Sequence, residues 1–374
     1  MSRPCAIFAG GGTGGHIFPG VAIAEQLQPL APGCDLHFVC SERPGDGTML
    51  QASGRPFTSI PAQPFGLRPR TLLRFLGSWG ASVRAVRSII ASKRSNGPVV
   101  MVAMGGFVAA PAAQAARAEG VPIVLVNLDA VPGRANRWIA RHAQRVLTAA
   151  KVPGINWEYA RPIIRRSAMA PGDREACRRL LHLDPARTTM LVTGASLGAR
   201  TINDFLGAWV DRHGALLRGW QVIHQTGQGE HAALRQVYER AGVPAVVVPF
   251  LESMGAAWGA ADVAVSRSGA GSVAEAWANR VPTLFLPYPH HKDEHQRLNA
   301  LPLQELGAAV IERDLVDPAA NLAAAGETLA TLIRDPERRH AMAQRLSEHG
   351  PPEGARVVAH AVARLWGVPE RDVS

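Results

Sequence analysis

Short apolar runs alternate with longer amphipathic stretches along most of this chain. In the first half the runs are Ala6–Phe8, Leu36–Cys40, Val99–Met104, Ile123–Val126 and Arg145–Thr148. Continuous apolar runs of this length, separated by segments of helical spacing, predict parallel strands buried on both faces by helices. The second half repeats the scheme with Thr189–Thr193, Trp220–His224, Ala245–Pro249, Val263–Ser266, Thr283–Leu286 and Ala308–Ile311. A chain of 374 residues also exceeds one ordinary core. The pattern therefore predicts an α/β protein of two Rossmann-like, doubly wound domains facing each other across a cleft. Their expected extents are 1–165 and 166–350, and the charged stretch Pro162–Asp184, which has no strand pattern, reads as the linker. Residues 351–374 contain a helical repeat (Val357, Val358, Ala361, Val362, Leu365) that is expected to pack back on the first domain.

One helical pattern differs from the rest. From Gly66 to Arg94, Leu72, Leu76, Trp79, Val83, Val86 and Ile90 recur at spacings of 4, 3, 4, 3 and 4. Most of that stripe is expected to pack in the core. Leu73 and Phe75, flanked by Arg68, Arg70, Arg74, Arg84, Arg87, Lys93 and Arg94, suit an anionic membrane surface. No transmembrane helix is predicted, because the longest uncharged stretch, Pro98–Ala116, is broken by Gly105-Gly106 and Pro111. Arg3 leads straight into a strand, which predicts no signal peptide.

Composition narrows the partners. Lys and Arg number 40 against 30 Asp and Glu, a formal charge of +10 that favours anionic partners. Basic patches interleaved with aromatics are lacking and Tyr occurs three times, so nucleic acid is not expected. Cys5, Cys34, Cys40 and Cys177 are scattered without a C-x-x-C pair, as for free buried thiols in a reducing compartment.

Candidate chemistry lies in glycine turns after strands. Ala9-Gly10-Gly11-Gly12-Thr13-Gly14-Gly15-His16 follows the first strand, and so bare a backbone can offer N–H donors to a diphosphate at a helix N-terminus. Gly10-x-Gly12-x-x-Gly15 also fits a dinucleotide fingerprint, with Glu42 as the ribose ligand of such an oxidoreductase. A second loop, Gly194–Arg200, places Ser196 for a phosphate. A third, Arg267–Ser272, leads to Glu275, which can accept from both hydroxyls of a ribose or cap its helix. His291 and His295 have the spacing of a metal pair but no third ligand in step, so a metal site is not read here. Gln296 and Asn299 carry amides suited to vicinal sugar hydroxyls. His16 is the near-neutral titrating group of the first loop, suited to be a base, a phosphate ligand or a helix cap.

Together these motifs resemble the peptidoglycan UDP-N-acetylglucosamine transferases of the MurG type, which have the GT-B fold. The likeness covers G-G-T-G-G-H-I-F-P-G-V-A-I-A at 11–24, M-G-G-F-V at 104–108, V-P-G-R-A-N-R at 131–137 and G-A-S-L-G-A-R at 194–200. It continues with H-Q-T-G at 224–227, F-L-E-S-M at 250–254, S-R-S-G-A at 266–270 before Glu275, and H-x-x-E-H-Q-x-x-N-A at 291–300. The resemblance implies transfer of N-acetylglucosamine, with inversion, from UDP-N-acetylglucosamine to the C4 hydroxyl of a lipid-linked muramoyl pentapeptide diphosphate (lipid I). It implies no cofactor and no metal-bound nucleotide, and a peripheral place on the cytoplasmic face of the plasma membrane.

The resemblance also distributes roles. Leu251 would hold the uracil edge, Glu275 the ribose, and Ser196 with Ala270, Gly271, Ser272, Val273 and Ala274 the diphosphate. Gln296 and His295 would meet the sugar. Thr13, Gly14, Gly15 and His16 would face the acceptor diphosphate, with Gly105 and Gly106 beside them. His16 and Asp129 are the candidate bases. The family's H-E-Q-N segment is here Val126-Asn127-Leu128-Asp129, so Asp129 stands where an asparagine normally meets the donor sugar. The arginine expected on the diphosphate is displaced by one place, to Arg165 with Arg161 or Arg166 as alternatives, and Leu197 replaces a glutamine. These departures leave two further readings open, a related enzyme with another lipid or glycan acceptor and a UDP-sugar-binding paralogue.

Overall fold

A computed structural model describes residues 3–66, 68–194, 199–229 and 231–368. The chain divides into two compact units, Met1–Arg165 with Glu353–Ser374, and Arg166–Pro352.

In the first unit the strands are β1 (Cys5–Ala9), β2 (Asp35–Ser41), β3 (Phe57–Ile60), β4 (Val99–Ala103), β5 (Ile123–Asn127), β6 (Arg145–Thr148) and β7 (Glu158–Tyr159). Among the described residues they form one parallel sheet in the order β3-β2-β1-β4-β5-β6-β7. β1 and β4 are buried at every position, with Phe8 opposite Phe38 on one side and Val102 on the other. A strand covered on both faces has no polar alternation to show, which is why the central strands read as apolar runs. The covering helices are α1 (Gly14–Leu30), α2 (Pro44–Ala52), α3 (Pro69–Arg94), α4 (Gly106–Ala118) and α5 (Arg134–Ala140). β3 and β7 were not predicted: β3 is a half-polar edge run, and β7 is two exposed residues.

The second unit opens with a 3-10 turn at Arg166–Ala168 and α6 (Arg174–Leu180). Its strands are β8 (Thr188–Thr193), β9 (Trp220–Gln225), β10 (Ala245–Val248), β11 (Val263–Ser266), β12 (Thr283–Phe285) and β13 (Ala309–Ile311). They pair in parallel in the order β10-β9-β8-β11-β12-β13. Around them lie α7 (Arg200–His213), α8 (His231–Arg240), α9 (Met254–Ala260), α10 (Ala270–Ala278), α11 (His295–Glu305), α12 (Pro318–Arg334) and α13 (Pro336–Glu348). The stretch read as a linker is largely folded. Asp173 caps α6 through the Ala176 N–H, Cys177 is buried, and Arg178 reaches Asp262 at 2.6 Å.

The last helix, α14 (Gly354–Leu365), belongs to the first unit and packs on α1, burying Ala355, Val358, Ala359 and Val362. The structure also splits the stripe on α3. Ser82, Val86 and Ile90 are buried, whereas Leu76, expected in the core, is 60 % exposed and Leu73 is 70 % exposed.

Candidate functional site

In each sheet the strand order reverses between two central strands, β1 and β4 in the first unit and β8 and β11 in the second. A doubly wound sheet leaves a crevice beyond the carboxyl ends of such strands, where ligands bind. The glycine turns are the segments leaving those strands. Residues 195–198, and with them Ser196 and Leu197, lie outside the described residues.

In the first unit, β1 ends at Ala9 and α1 starts at Gly14, so Thr13 is the extended N-cap and His16 sits in the first turn. The first-turn N–H groups of a helix lack intrahelical partners and carry its positive end. Among the described residues, a Cβ placed on Gly15 would meet only Thr13 Oγ1, at 3.4 Å, so none of them packs against the outward face of this glycine. Arg165 lies on the same unit, its guanidinium 3.6 Å from the centre of the Phe18 ring.

The His16 ring rests on the turn after β4. Gly105 and Gly106 have φ of 90° and 73°, in the left-handed region that side chains rarely adopt. A Cβ on Gly105 would stand 3.3 Å from His16 Cδ2, and one on Gly106 would stand 3.4 Å from Nδ1 and Cε1. Thr13 Oγ1 is 3.5 Å from Nδ1. Burial pushes the imidazole below its ordinary pKa, opposed by the charges of Asp129 and Asp46 and by the Gly11 backbone. At neutral pH the ring is therefore uncharged and able to take a proton.

Asp129 follows β5 in a loop shaped by a buried amide network. Asn127 Nδ2 donates to the Asp129 carbonyl at 2.7 Å and to Thr148 Oγ1 at 3.0 Å, and Asn136 Nδ2 donates to Asn127 Oδ1 at 2.9 Å. Asn136 also touches the place where a Gly105 Cβ would sit, at 3.1 Å. Asn127 and Asn136 were not singled out from the sequence, although a buried asparagine at the end of a strand is a usable signal.

In the second unit, β11 runs through Arg267, Ser268 and Gly269 into α10. Among the described residues, Cβ atoms on Gly269 or Gly271 would find nothing within 4 Å, so these put no side chain against the turn at either glycine. Ala270 to Ala274 form the first turns of α10, with Ser272, Val273 and Ala274 buried. The turn is braced from beneath: Arg267 donates to Asp314 at 2.6 Å, to Thr201 Oγ1 at 2.5 Å and to the Leu286 carbonyl at 2.8 Å. Glu275 is half-buried, and one carboxylate oxygen accepts from Trp258 Nε1 at 2.9 Å. Leu251, which follows β10, is buried. At the start of α11, Gln296 Oε1 accepts from the Tyr288 N–H at 2.9 Å, which turns its NH2 donors away from that backbone. His295 Nδ1 lies 2.8 Å from Asp293, and that hydrogen bond holds the Asp293 carboxyl below its usual range. Among the described residues no set of three His, Cys, Asp or Glu is arranged to hold a metal, and His291 stacks on His295 at 4.3 Å.

The glycosyltransferase family 28 N-terminal domain matches residues 6–148, and the family's C-terminal domain matches 189–355. The chain is 37 % identical over 355 residues to a protein of Nocardioides sp., covering 89 % of this chain and 95 % of that protein. It is 35 % identical over 364 residues to one of Bordetella petrii, covering 96 % and 97 %. Both are named UDP-N-acetylglucosamine--N-acetylmuramyl-(pentapeptide) pyrophosphoryl-undecaprenol N-acetylglucosamine transferase. Among solved structures, Acinetobacter baumannii MurG superposes with a TM-score of 0.70 at 25 % identity over 97 % of this chain and 99 % of that one. A Staphylococcus aureus MnaA–UDP co-structure, 12 % identical with a TM-score of 0.64 over 100 % and 99 %, shares the fold.

Proposed function

The chain belongs to glycosyltransferase family 28, and from that premise we propose that it transfers N-acetylglucosamine from UDP-N-acetylglucosamine to the C4 hydroxyl of lipid I, forming lipid II. One observation carries the reading. Each unit sends a central strand into a glycine turn at a helix N-terminus, and the outward glycines (Gly15, and Gly269 with Gly271) have, among the described residues, no packing reason to lack a side chain. Such a turn admits a diphosphate, and the reaction needs two, one on the donor and one on the acceptor.

In this reading the second unit holds the donor. The Leu251 main chain faces uracil, Glu275 accepts from the ribose, and Ala270 to Ala274 with Ser196 receive the diphosphate. Gln296 and His295 Nε2 meet the sugar. The first unit holds the acceptor, with its diphosphate at Thr13, Gly14 and Gly15 beside Arg165 and the Gly105-Gly106 turn. The acceptor O4 attacks the anomeric carbon from the face opposite UDP, the C1–O bond to UDP breaks, and the configuration inverts. Neutral His16 takes the hydroxyl proton, and Asp129 stabilises the imidazolium that forms. The positive end of α10 meets the charge that develops on the leaving UDP, so no metal or other cofactor is required.

The exposed start of α3 supplies the approach to a lipid acceptor. Phe65, Leu73 and Leu76 are exposed; the Phe65 ring meets Phe75 edge-to-face at 5.4 Å, and Phe75 meets Trp79 at a tilt at 5.2 Å. Arg68, Arg70 and Arg74 stand at the same end, while Arg87 and Lys93 at the other end pair with Glu119 and Asp35. This patch suits an anionic membrane surface, and no described helix is long and apolar enough to cross a membrane. In this reading the protein is also peripheral on the cytoplasmic face of the plasma (inner) membrane, which the exposed basic and aromatic patch supports only as a membrane contact.

The test is incubation with UDP-N-acetylglucosamine and a lipid I analogue in EDTA, together with donor titration by calorimetry. Donor binding with transfer in EDTA is expected, and Glu275→Ala is expected to weaken donor binding tenfold or more. Lack of donor binding would refute the assignment.

A further inference from the structure

The glycine loop that carries His16 is not self-supporting. Its floor is Asp46, in the first turn of α2, on the far side of β2 in sequence. Asp46 is 1 % exposed, and its Oδ2 receives three donors: Gly12 N–H at 2.7 Å, Ser41 Oγ–H at 2.6 Å and Ser41 N–H at 3.2 Å. The carboxylate also sits in the first turn of α2, at that helix's N-terminal end. The fit leaves no slack. A Cβ on Gly11 would stand 2.5 Å from Asp46 Oδ2, so the loop's second glycine is bare because the carboxylate lies against it. Gly12, whose N–H points at Asp46, has φ of 90°, a conformation that the hydrogen bond holds in place.

The reaction assigned above gives this carboxylate no role. We propose that Asp46 is a positioning residue for transfer, latching the glycine loop to the end of β2 so that His16 and the first turn of α1 face the acceptor. This rests on the reading of His16 as the base. Among the described residues, the charges that act on His16 are Asp129 from the loop after β5 and Asp46 from α2, and Arg43 Nη1 donates to the Gly12 carbonyl of the same loop at 3.2 Å. Asp46 therefore acts in two ways: it fixes the loop by hydrogen bonding, and as the second anion near the imidazole it favours the protonated ring.

The experiment compares wild type, Asp46→Asn and Ser41→Ala. Asp46→Asn keeps the size and an acceptor oxygen but loses the charge, and Ser41→Ala removes one donor while sparing the carboxylate. His16 is titrated by NMR in each folded protein, with its resonance identified by loss in His16→Gln. Transfer kinetics are measured across pH. In Asp46→Asn we expect His16 to titrate lower than in wild type, kcat to fall about tenfold or more, and the donor KM to stay within about twofold. Ser41→Ala should lower kcat less and leave the His16 titration near that of wild type. A folded Asp46→Asn with unchanged kcat, or with His16 titrating as in wild type, overturns the proposal. A purely structural role predicts that outcome, with a lowered melting temperature alone. If wild type transfers nothing, the assigned reaction fails, and the His16 titration then judges Asp46 by itself.

Discussion

At the residue scale the account turns on His16, an imidazole laid on two left-handed glycines and kept uncharged by burial. A base works in its deprotonated form, so a lowered pKa extends activity downward in pH. The acid limb of kcat should therefore lie below the ordinary histidine value of about 6.5. His16→Ala should abolish that limb and lower kcat by about a hundredfold or more, with calorimetric affinity for UDP-N-acetylglucosamine unchanged. A variant with wild-type kcat would remove His16 from the chemistry. His16 was legible in the sequence because it ends a run of glycines. Asp46 was not: it lies in the polar segment Ser41-Glu42-Arg43-Pro44-Gly45-Asp46, where nothing local separates a buried latch from a solvated turn. Only the pairing of β1 with β2 brings it beneath Gly12.

At the scale of elements, what the sequence shows depends on burial. Central strands covered on both faces announce themselves, whereas the edge strands β3 and β7 and the short helix α6 do not, because their apolar content is too small to set a period. The same limit blurred α3, whose regular stripe continues past the point where the core ends. Leu73→Glu with Leu76→Glu should therefore cost little stability but lower sedimentation with phosphatidylglycerol vesicles severalfold; equal binding would reject α3 as the membrane contact. On β9, His224 is fully buried between Tyr238 Oη at 2.9 Å and Asn203 Oδ1 at 3.1 Å, and burial depresses its pKa to about 3. The unfolded chain, protonating near 6.5, takes up the proton first, so stability is full above that pH and is lost as pH falls toward 3. The loss is about 1.4 kcal/mol per pH unit within that window. Urea unfolding between pH 7 and 4.5 should show this slope in wild type and a flatter one in His224→Gln. Parallel slopes would contradict it.

At the scale of the whole molecule, two units of the same build each bring a glycine turn to the reversal point of a parallel sheet. That duplication was legible in the sequence, where glycine loops follow apolar runs in both halves; the assignment of one to an acceptor diphosphate came from the family resemblance. It also leaves little for the dinucleotide oxidoreductase reading, whose proposed ribose ligand, Glu42, is an exposed residue next to the Asp46 latch. The measurement closest to the central claim is product analysis after incubation with UDP-N-acetylglucosamine and a lipid I analogue, by mass spectrometry and NMR. The account predicts equimolar UDP and a lipid-linked disaccharide with inverted anomeric configuration at O4 of the muramoyl sugar. Donor that is bound or hydrolysed without any lipid-linked disaccharide would contradict it.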